Sequence, residues 1–426
     1  MLGKLRFFYL IHPFRTAGKA MRSLGGKNAL PSLALALAGT LGVGNVFGVC
    51  LGIIIGGAGS VFWLFASALI SAVLKYSEVV ITHDNLLHAH DGSHGGMFYS
   101  IAAAFRRTGK GMALVYAASC LLLSLVMGAA LQSGTARETM TEIFDTPPAF
   151  LGIILVALIF VSIIWGVGTI EKITLFAIPA TTIIYITITL GIIAVNFSRI
   201  GDALYAVMYG AFTFEGAVGG VMAFLFSSSV REGYSRGILS NEAGCGTSSL
   251  AHSRSGILNP AVAGLMGIVE VFFDTCVLCM LTAFAVLTAV PDYRTCTTGM
   301  SLILTAAASS LGQPSVIAVF VCVLVFAYST ILCWYYYGRE CFRYLFGNRL
   351  PILFLPLYLV FVFLGMVVDN RALVALTDGL MLILACLSSL TVIKRSDRIK
   401  LLSERGGVID PRTGRESVSL RGRGRR

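Results

Sequence analysis

The chemistry in this chain is concentrated where apolar stretches are interrupted. Ala38-Gly39-Thr40-Leu41-Gly42-Val43-Gly44-Asn45-Val46-Phe47-Gly48 lies inside a long apolar run, and so many glycines with an Asn are poor helix formers. In hydrocarbon, unwound backbone is tolerated only where it lines a cavity. An interruption here turns amide N–H groups toward a carboxylate and carbonyls toward a cation. Gly44, Gly48 and Gly52 also fall at i, i+4 and i+8, a spacing that serves close helix packing, but that stripe leaves Gly39, Gly42 and Asn45 unexplained. A second such stretch, Ala211-Phe212-Thr213-Phe214-Glu215-Gly216-Ala217-Val218-Gly219-Gly220, comes five spans later. Paired interruptions in corresponding halves point to a midplane binding site of a secondary transporter.

Two acids fall deep in an apolar span. Asp274 lies about twelve residues, or roughly 18 Å, inside Val262–Val290, with Glu270 one turn shallower. An ionisable group at such depth is either functional or ion-paired, here to an arginine such as Arg236 or Arg254. Asn241 and Glu242 are expected on a loop after the sixth span, ordering that loop. The ten cysteines are scattered singly, and Cys276-x-x-Cys279 within a span reads as apolar packing. His83, His88, His90 and His94, with Asp84 and Asp91, read as a solvated loop, since no helix there fixes a ligand geometry. The remaining histidines are His12 and His252, so no span carries the nucleophile and base or the metal cluster of an intramembrane enzyme. A channel would account for apolar helices but not for paired interruptions.

The elements that must position these residues follow from composition. Of 426 residues, 56% are hydrophobic and 12% charged, too few polar groups to cover a soluble domain of this size. Ten stretches are long enough to cross about 30 Å of hydrocarbon. They are Leu33–Ile55, Ser60–Val80, Met112–Gln132, Phe150–Val167, Ile173–Asn196, Phe212–Val230, Val262–Val290, Pro314–Tyr337, Leu350–Val368 and Leu373–Ile393. With the amino terminus inside, exterior segments hold only Arg137, Arg199, Arg294 and Arg371. All other basic residues, including Lys75, Arg231 and Arg236, then fall inside, which puts both termini in the cytoplasm. The net charge of +11 therefore reads as topology rather than nucleic-acid binding. Residues 1–30 read as a basic cytosolic arm and 394–426 as a basic disordered cytosolic tail.

Several motifs together resemble one family. They are Ala38 to Asn45, Lys75-Tyr76-Ser77-Glu78, Asp91-Gly92-x-x-Gly95-Gly96, and Arg236-Gly237-Ile238-Leu239-Ser240-Asn241-Glu242-Ala243-Gly244-Cys245-Gly246. Asp274-Thr275-x-x-x-Cys279-x-x-Thr282 and Phe326-Ala327-Tyr328-Ser329-Thr330-x-x-x-Trp334 complete the set. The combination resembles the alanine/glycine:cation symporters, members of the superfamily with the leucine-transporter fold. That likeness implies an all-α polytopic membrane protein of about ten transmembrane helices. They would form a five-plus-five inverted repeat over residues 31–196 and 205–393, with the first and sixth helices broken. It also implies sodium-coupled symport of alanine or glycine into the cell across the cell membrane; proton coupling, another amino acid or an ion channel are the alternatives.

By the same likeness, the amides of Val43, Gly44 and Asn45 meet the substrate carboxylate. The Thr40 carbonyl and the Asn45 and Gln132 side chains lie near its amino group or a cation. Phe47, Phe212, Gly219, Gly220 and Trp334 wall the pocket. Ser329 and Thr330, with the carbonyls of Ala38 and Leu41, resemble a sodium site, and Asp274 is a further candidate ligand for sodium. Hard oxygen donors of this kind suit a small hard cation. Read without the likeness, a Ser-Thr pair in a membrane helix bonds carbonyls of its own preceding turn. The family pattern carries Thr and Ala where this chain has Val43 and Phe47, and a proline where it has Met97. The Phe47 ring, if it faces the pocket, favours substrates no larger than alanine.

Overall fold

The computed structural model describes residues 29–405, apart from 90–91, 145–146, 214–226, 256, 258 and 348–352. Helices α1 (Ala29–Thr40) and α2 (Phe47–Gly56) form one apolar line, broken between them and bent by 49°. Next come α3 (Ser60–Asp84), a hairpin of β1 (Leu87–Ala89) and β2 (Gly92–His94), and the short α4 (Met97–Ala104). The chain continues through α5 (Gly109–Thr141), α6 (Pro148–Ile164), α7 (Val167–Val195) and α8 (Ile200–Phe212). Then α9 (Ser228–Asn241) and the one-turn α10 (Ser249–His252) lead into α11 (Pro260–Ala289). The last elements are α12 (Gly299–Leu311), α13 (Gln313–Phe346), α14 (Phe354–Leu364), α15 (Asn370–Lys394) and α16 (Ser396–Arg405). Among the described residues, α3, α5, α7, α11, α13 and α15 are long and apolar enough to cross a membrane, and the bent α1–α2 pair makes a further span. Helices α6, α12 and α14 are apolar but shorter.

Each span expected from the sequence overlaps one of these helices, although most of Phe212–Val230 lies outside the described residues. The described residues flanking that stretch lie at one end of the bundle. Trp63 Nε1 donates to the Ala211 carbonyl at 3.0 Å, and the Ser229 hydroxyl donates to the Gly56 carbonyl at 2.6 Å. Both flanks of the stretch thus lie beside Gly56–Trp63, and residues 214–226 between them lie outside the described residues. Gly219 and Gly220 lie outside the described residues.

Close packing onto α9 explains the glycine stripe. A β-carbon built on Gly56, Gly52 or Gly48 would lie 2.9 Å from Glu232 Cβ, 2.9 Å from Arg236 Cγ or 3.5 Å from Leu239 Cδ2. Helix α9 therefore runs antiparallel to α2, with Ser228 at the Gly56 end and Asn241 at mid-bundle. Gly233 lies on the Ser60 carbonyl of α3. At the opposite end, residues 396–405 are helical rather than disordered. Ile399 and Ser403 are buried, and the Ser403 and Tyr76 hydroxyls bond at 2.7 Å. Arg398 pairs with Asp84 at 2.6 Å. His83, expected in a loop, closes α3 and is buried. Among the described residues, no three His, Cys, Asp or Glu side chains are placed to hold a metal ion.

Candidate functional site

The site forms where α1 stops. Gly42 is extended, Val43–Asn45 make a single 3-10 turn, and α2 starts at Phe47. The Asn45 amide oxygen accepts the Gly42 N–H at 3.1 Å, so the side chain braces the break across its own turn. Opening amides of a helical turn have no partner within it, which here means those of Val43 and Gly44. They border a narrow space of about 10 Å³ lined by Gly39, Thr40, Gly42, Val43, Gly44, Phe47, Met127, Leu131, Gln132 and Leu239. That is room for about one water. Gln132 is 3% exposed, and its amide oxygen has no partner among the described residues. It follows a π-helical stretch, Ser124–Leu131, of the kind that often marks functional sites. Phe47 is buried, faces this space and rests its ring edge on Gly299.

Asn45 does not line the space. Its Nδ2 donates to Asp274 Oδ1 at 2.7 Å and to Ser240 Oγ at 3.1 Å. Asp274, fully buried on a second π-helical stretch (Phe272–Cys279), also accepts from Ser240 at 2.6 Å and Thr275 at 2.7 Å. Three donors satisfy this carboxylate with no arginine. Its neighbour Glu270 pairs with Lys75 at 3.1 Å and His252 at 2.8 Å, not with Arg236 or Arg254. Lys75 is therefore buried inside the bundle and is not an interior surface charge; its Nζ also donates to the Asn241 carbonyl at 2.6 Å.

A second break among the described residues begins at Glu242, whereas the interruption expected around Gly216 lies outside the described residues. Helix α9 ends at Asn241 beside Gly44, where a β-carbon on the glycine would lie 3.5 Å from Ser240 Cα. Glu242 (φ 54°), Gly244 (φ 88°) and Gly246 (φ 76°) then turn the chain through the left-handed region, and Glu242 is the only non-glycine among the described residues to do so. That conformation costs about 1–2 kcal/mol for a residue with a β-carbon. It is held by Thr247, which donates to Glu242 Oε2 at 2.6 Å, and by Trp334 Nε1, which donates to Oε1 at 3.1 Å. Asn241 and Glu242, expected on a loop, are thus buried at mid-bundle. Glu78 joins them, accepting from Ser388 at 2.5 Å and from the Gly244 N–H at 3.2 Å.

Of the cation ligands expected from the sequence, Thr330 and Ala38 meet, the hydroxyl donating to the carbonyl at 2.9 Å. Gly42 leaves room for this, because a β-carbon there would fall 2.6 Å from Thr330 Oγ1. Leu41 is buried in the same turn. Ser329 instead donates to Val325 and Phe326 of its own helix. Trp334 packs on Gly128 and holds Glu242 without lining the space. Phe212 is 52% exposed and meets Phe62 and Trp63 edge to face at the Gly56 end, away from the break. Met127, Leu131 and Leu239 were not legible as lining residues, because apolar residues in apolar spans carry no distinguishing signal.

A bundle built around a broken helix is a transporter architecture, and comparison with known sequences identifies which. Residues 2–398 match the sequence pattern of the Sodium:alanine symporter family. The chain belongs to that family. Its relatives include the sodium/alanine symporter AgcS of Methanococcus maripaludis, 30% identical over 77% of this chain and 72% of the relative. An uncharacterized transporter of Haemophilus influenzae is 31% identical over 80% and 76%. Among solved structures, the manganese transporter of Eremococcus coleocola shares the fold, with a TM-score of 0.54 at 15% identity over 89% of this chain and 86% of that one. As a family member the chain is a multi-pass membrane transporter of amino acids coupled to a cation, and not an enzyme.

Proposed function

We propose that the protein is a sodium-coupled symporter of a small neutral amino acid, alanine or glycine, in the cell membrane with both termini cytoplasmic. The observation that carries this reading is the space at the α1–α2 break. Two opening amides, those of Val43 and Gly44, border this space and offer donors to a carboxylate once it widens beyond the room for one water, and the Gln132 oxygen, unpaired among the described residues, suits an ammonium. The contact between Thr330 and the Ala38 carbonyl on the far side of the break offers hard oxygens to sodium, which travels as a co-substrate. The narrowness of the space favours small side chains, since each added methylene must be matched by movement of Phe47, Met127 or Leu239. The reading also takes α1–α2 and α9–α10 as the broken first and sixth helices of a ten-span, five-plus-five repeat. Labelled alanine in proteoliposomes supplies the test. Uptake is expected with an inward sodium gradient and not with a proton gradient alone; equal uptake in both would replace sodium by protons as the coupling ion.

A further inference from the structure

Arg236 lies one turn from the cavity-lining Leu239, toward the Gly56 end. Its stem crosses the glycine face of α2 at Gly48 and Gly52, and the residue is 3% exposed. The guanidinium Nη2 is shared by two carboxylates, Asp378 of α15 at 2.9 Å and Glu232 of its own helix at 3.2 Å, and Nε also donates to Glu232 at 3.2 Å. Nη1 is buried and has no partner among the described residues. Asp378 is 35% exposed and is also held by the Ser235 hydroxyl at 3.0 Å.

We infer that Arg236 is a carboxylate-capture residue on the route between the Gly56 end and the cavity, where the carboxylate of the incoming amino acid displaces Asp378. This rests on the amino-acid reading above. Three features carry it. A pair built only for stability would satisfy its buried donors, yet one edge of this guanidinium is half used. The paired Nη1 and Nη2 edge is the fork that binds a carboxylate through two parallel bonds, and only Nη2 is engaged. Asp378, being partly exposed and retained by Ser235, can give up the arginine without becoming an unpaired buried charge. Leu239, Arg236 and Glu232 occupy successive turns of α9 against α2, so a carboxylate handed inward from Arg236 next meets the Gly44 turn.

The test measures KM and maximal rate for labelled alanine, under a sodium gradient, in proteoliposomes of wild type, Arg236→Gln, Arg236→Lys and Asp378→Asn. Capture by Arg236 predicts that Arg236→Gln raises KM about tenfold, the worth of one charge-assisted bond. Arg236→Lys recovers part of that loss, and Asp378→Asn, which removes the competing carboxylate, lowers KM. Opposite shifts in KM for the glutamine and asparagine variants are the signature, because a merely structural ion pair would move both alike. Shifts in the same direction, or wild-type KM in both, overturn the inference. Should Arg236→Gln fail to fold, Asp378→Asn alone decides by the sign of its KM shift. If wild-type vesicles take up none of alanine, glycine, serine or glutamine, the amino-acid reading falls and this inference with it.

Discussion

Thr330 and Ser329 are neighbours on α13, yet their hydroxyls do different things. Thr330 crosses to the Ala38 carbonyl at the break, whereas Ser329 bonds back to Val325 and Phe326. If sodium binds beside Ala38, Thr330→Val should raise the sodium concentration for half-maximal uptake by about tenfold, near 1.4 kcal/mol. Ser329→Ala should leave it within about twofold, since its hydroxyl serves its own turn. Equal effects of the two substitutions in a sodium titration of uptake would remove this asymmetry and the site with it. At this scale the sequence was readable where residue type contradicted its surroundings: glycines and Asn45 at mid-span, Asp274 and Glu270 deep in an apolar stretch. Partners were not readable. Asn45 meets Asp274 across 229 residues, and Lys75 reaches Asn241 across 166, distances over which no local spacing applies.

Among the elements, α9 escaped a search for apolar spans because its sequence, Ser228 to Asn241, is polar. Protein rather than lipid covers much of it. Helices α2, α3 and α15 surround it, and its polar groups pair inside the bundle, as Ser229 with the Gly56 carbonyl and Asn241 with Thr275 do. A helix shielded this way need not be apolar, because its polar groups find partners other than water. Glycine makes the shielding possible. A β-carbon on Gly233 would fall 2.5 Å from the backbone oxygen of Ser60, which cannot swing aside, whereas one on Gly379 of α15 meets open space. Gly233→Leu should therefore cost at least about 1–3 kcal/mol, with loss of the folded peak in size-exclusion chromatography of detergent extracts. Gly379→Ala should instead stabilise α15 by about 0.5–1 kcal/mol, seen as a higher unfolding temperature. A Gly233→Leu protein that folds and melts as wild type would show that α9 does not pack on α3 at this distance.

For the whole molecule, taking α9 rather than Phe212–Val230 as part of the sixth traverse, as proposed above, changes which charges face which side. Basic residues orient helices by their place in the flanking loops, so a misplaced span reassigns only the charges between its old and new positions. Here that is chiefly Arg231, placed inside by the sequence reading but lying with Ser229 and Gly56 in the structure. Arg294 shares that end, its guanidinium near Gly57. Arg398 marks the other end, beside Asp84. That proposal keeps the ten traverses expected from the sequence, so the expected side of both termini is unchanged too. Cysteines at these three positions separate the two arrangements, and their exposure or weak pairing makes substitution mild: the Arg231 side chain is 67% exposed and that of Arg398 is 42% exposed. With the termini cytoplasmic, an impermeant maleimide added to intact cells should label Arg231→Cys and Arg294→Cys, and should reach Arg398→Cys only after permeabilisation. Labelling of Arg231→Cys together with Arg398→Cys would reverse α9. A reversed α9 would carry Arg236 to the opposite side of the cavity from Gly56, and the route by which a carboxylate reaches the Gly44 turn would have to be drawn from the other end.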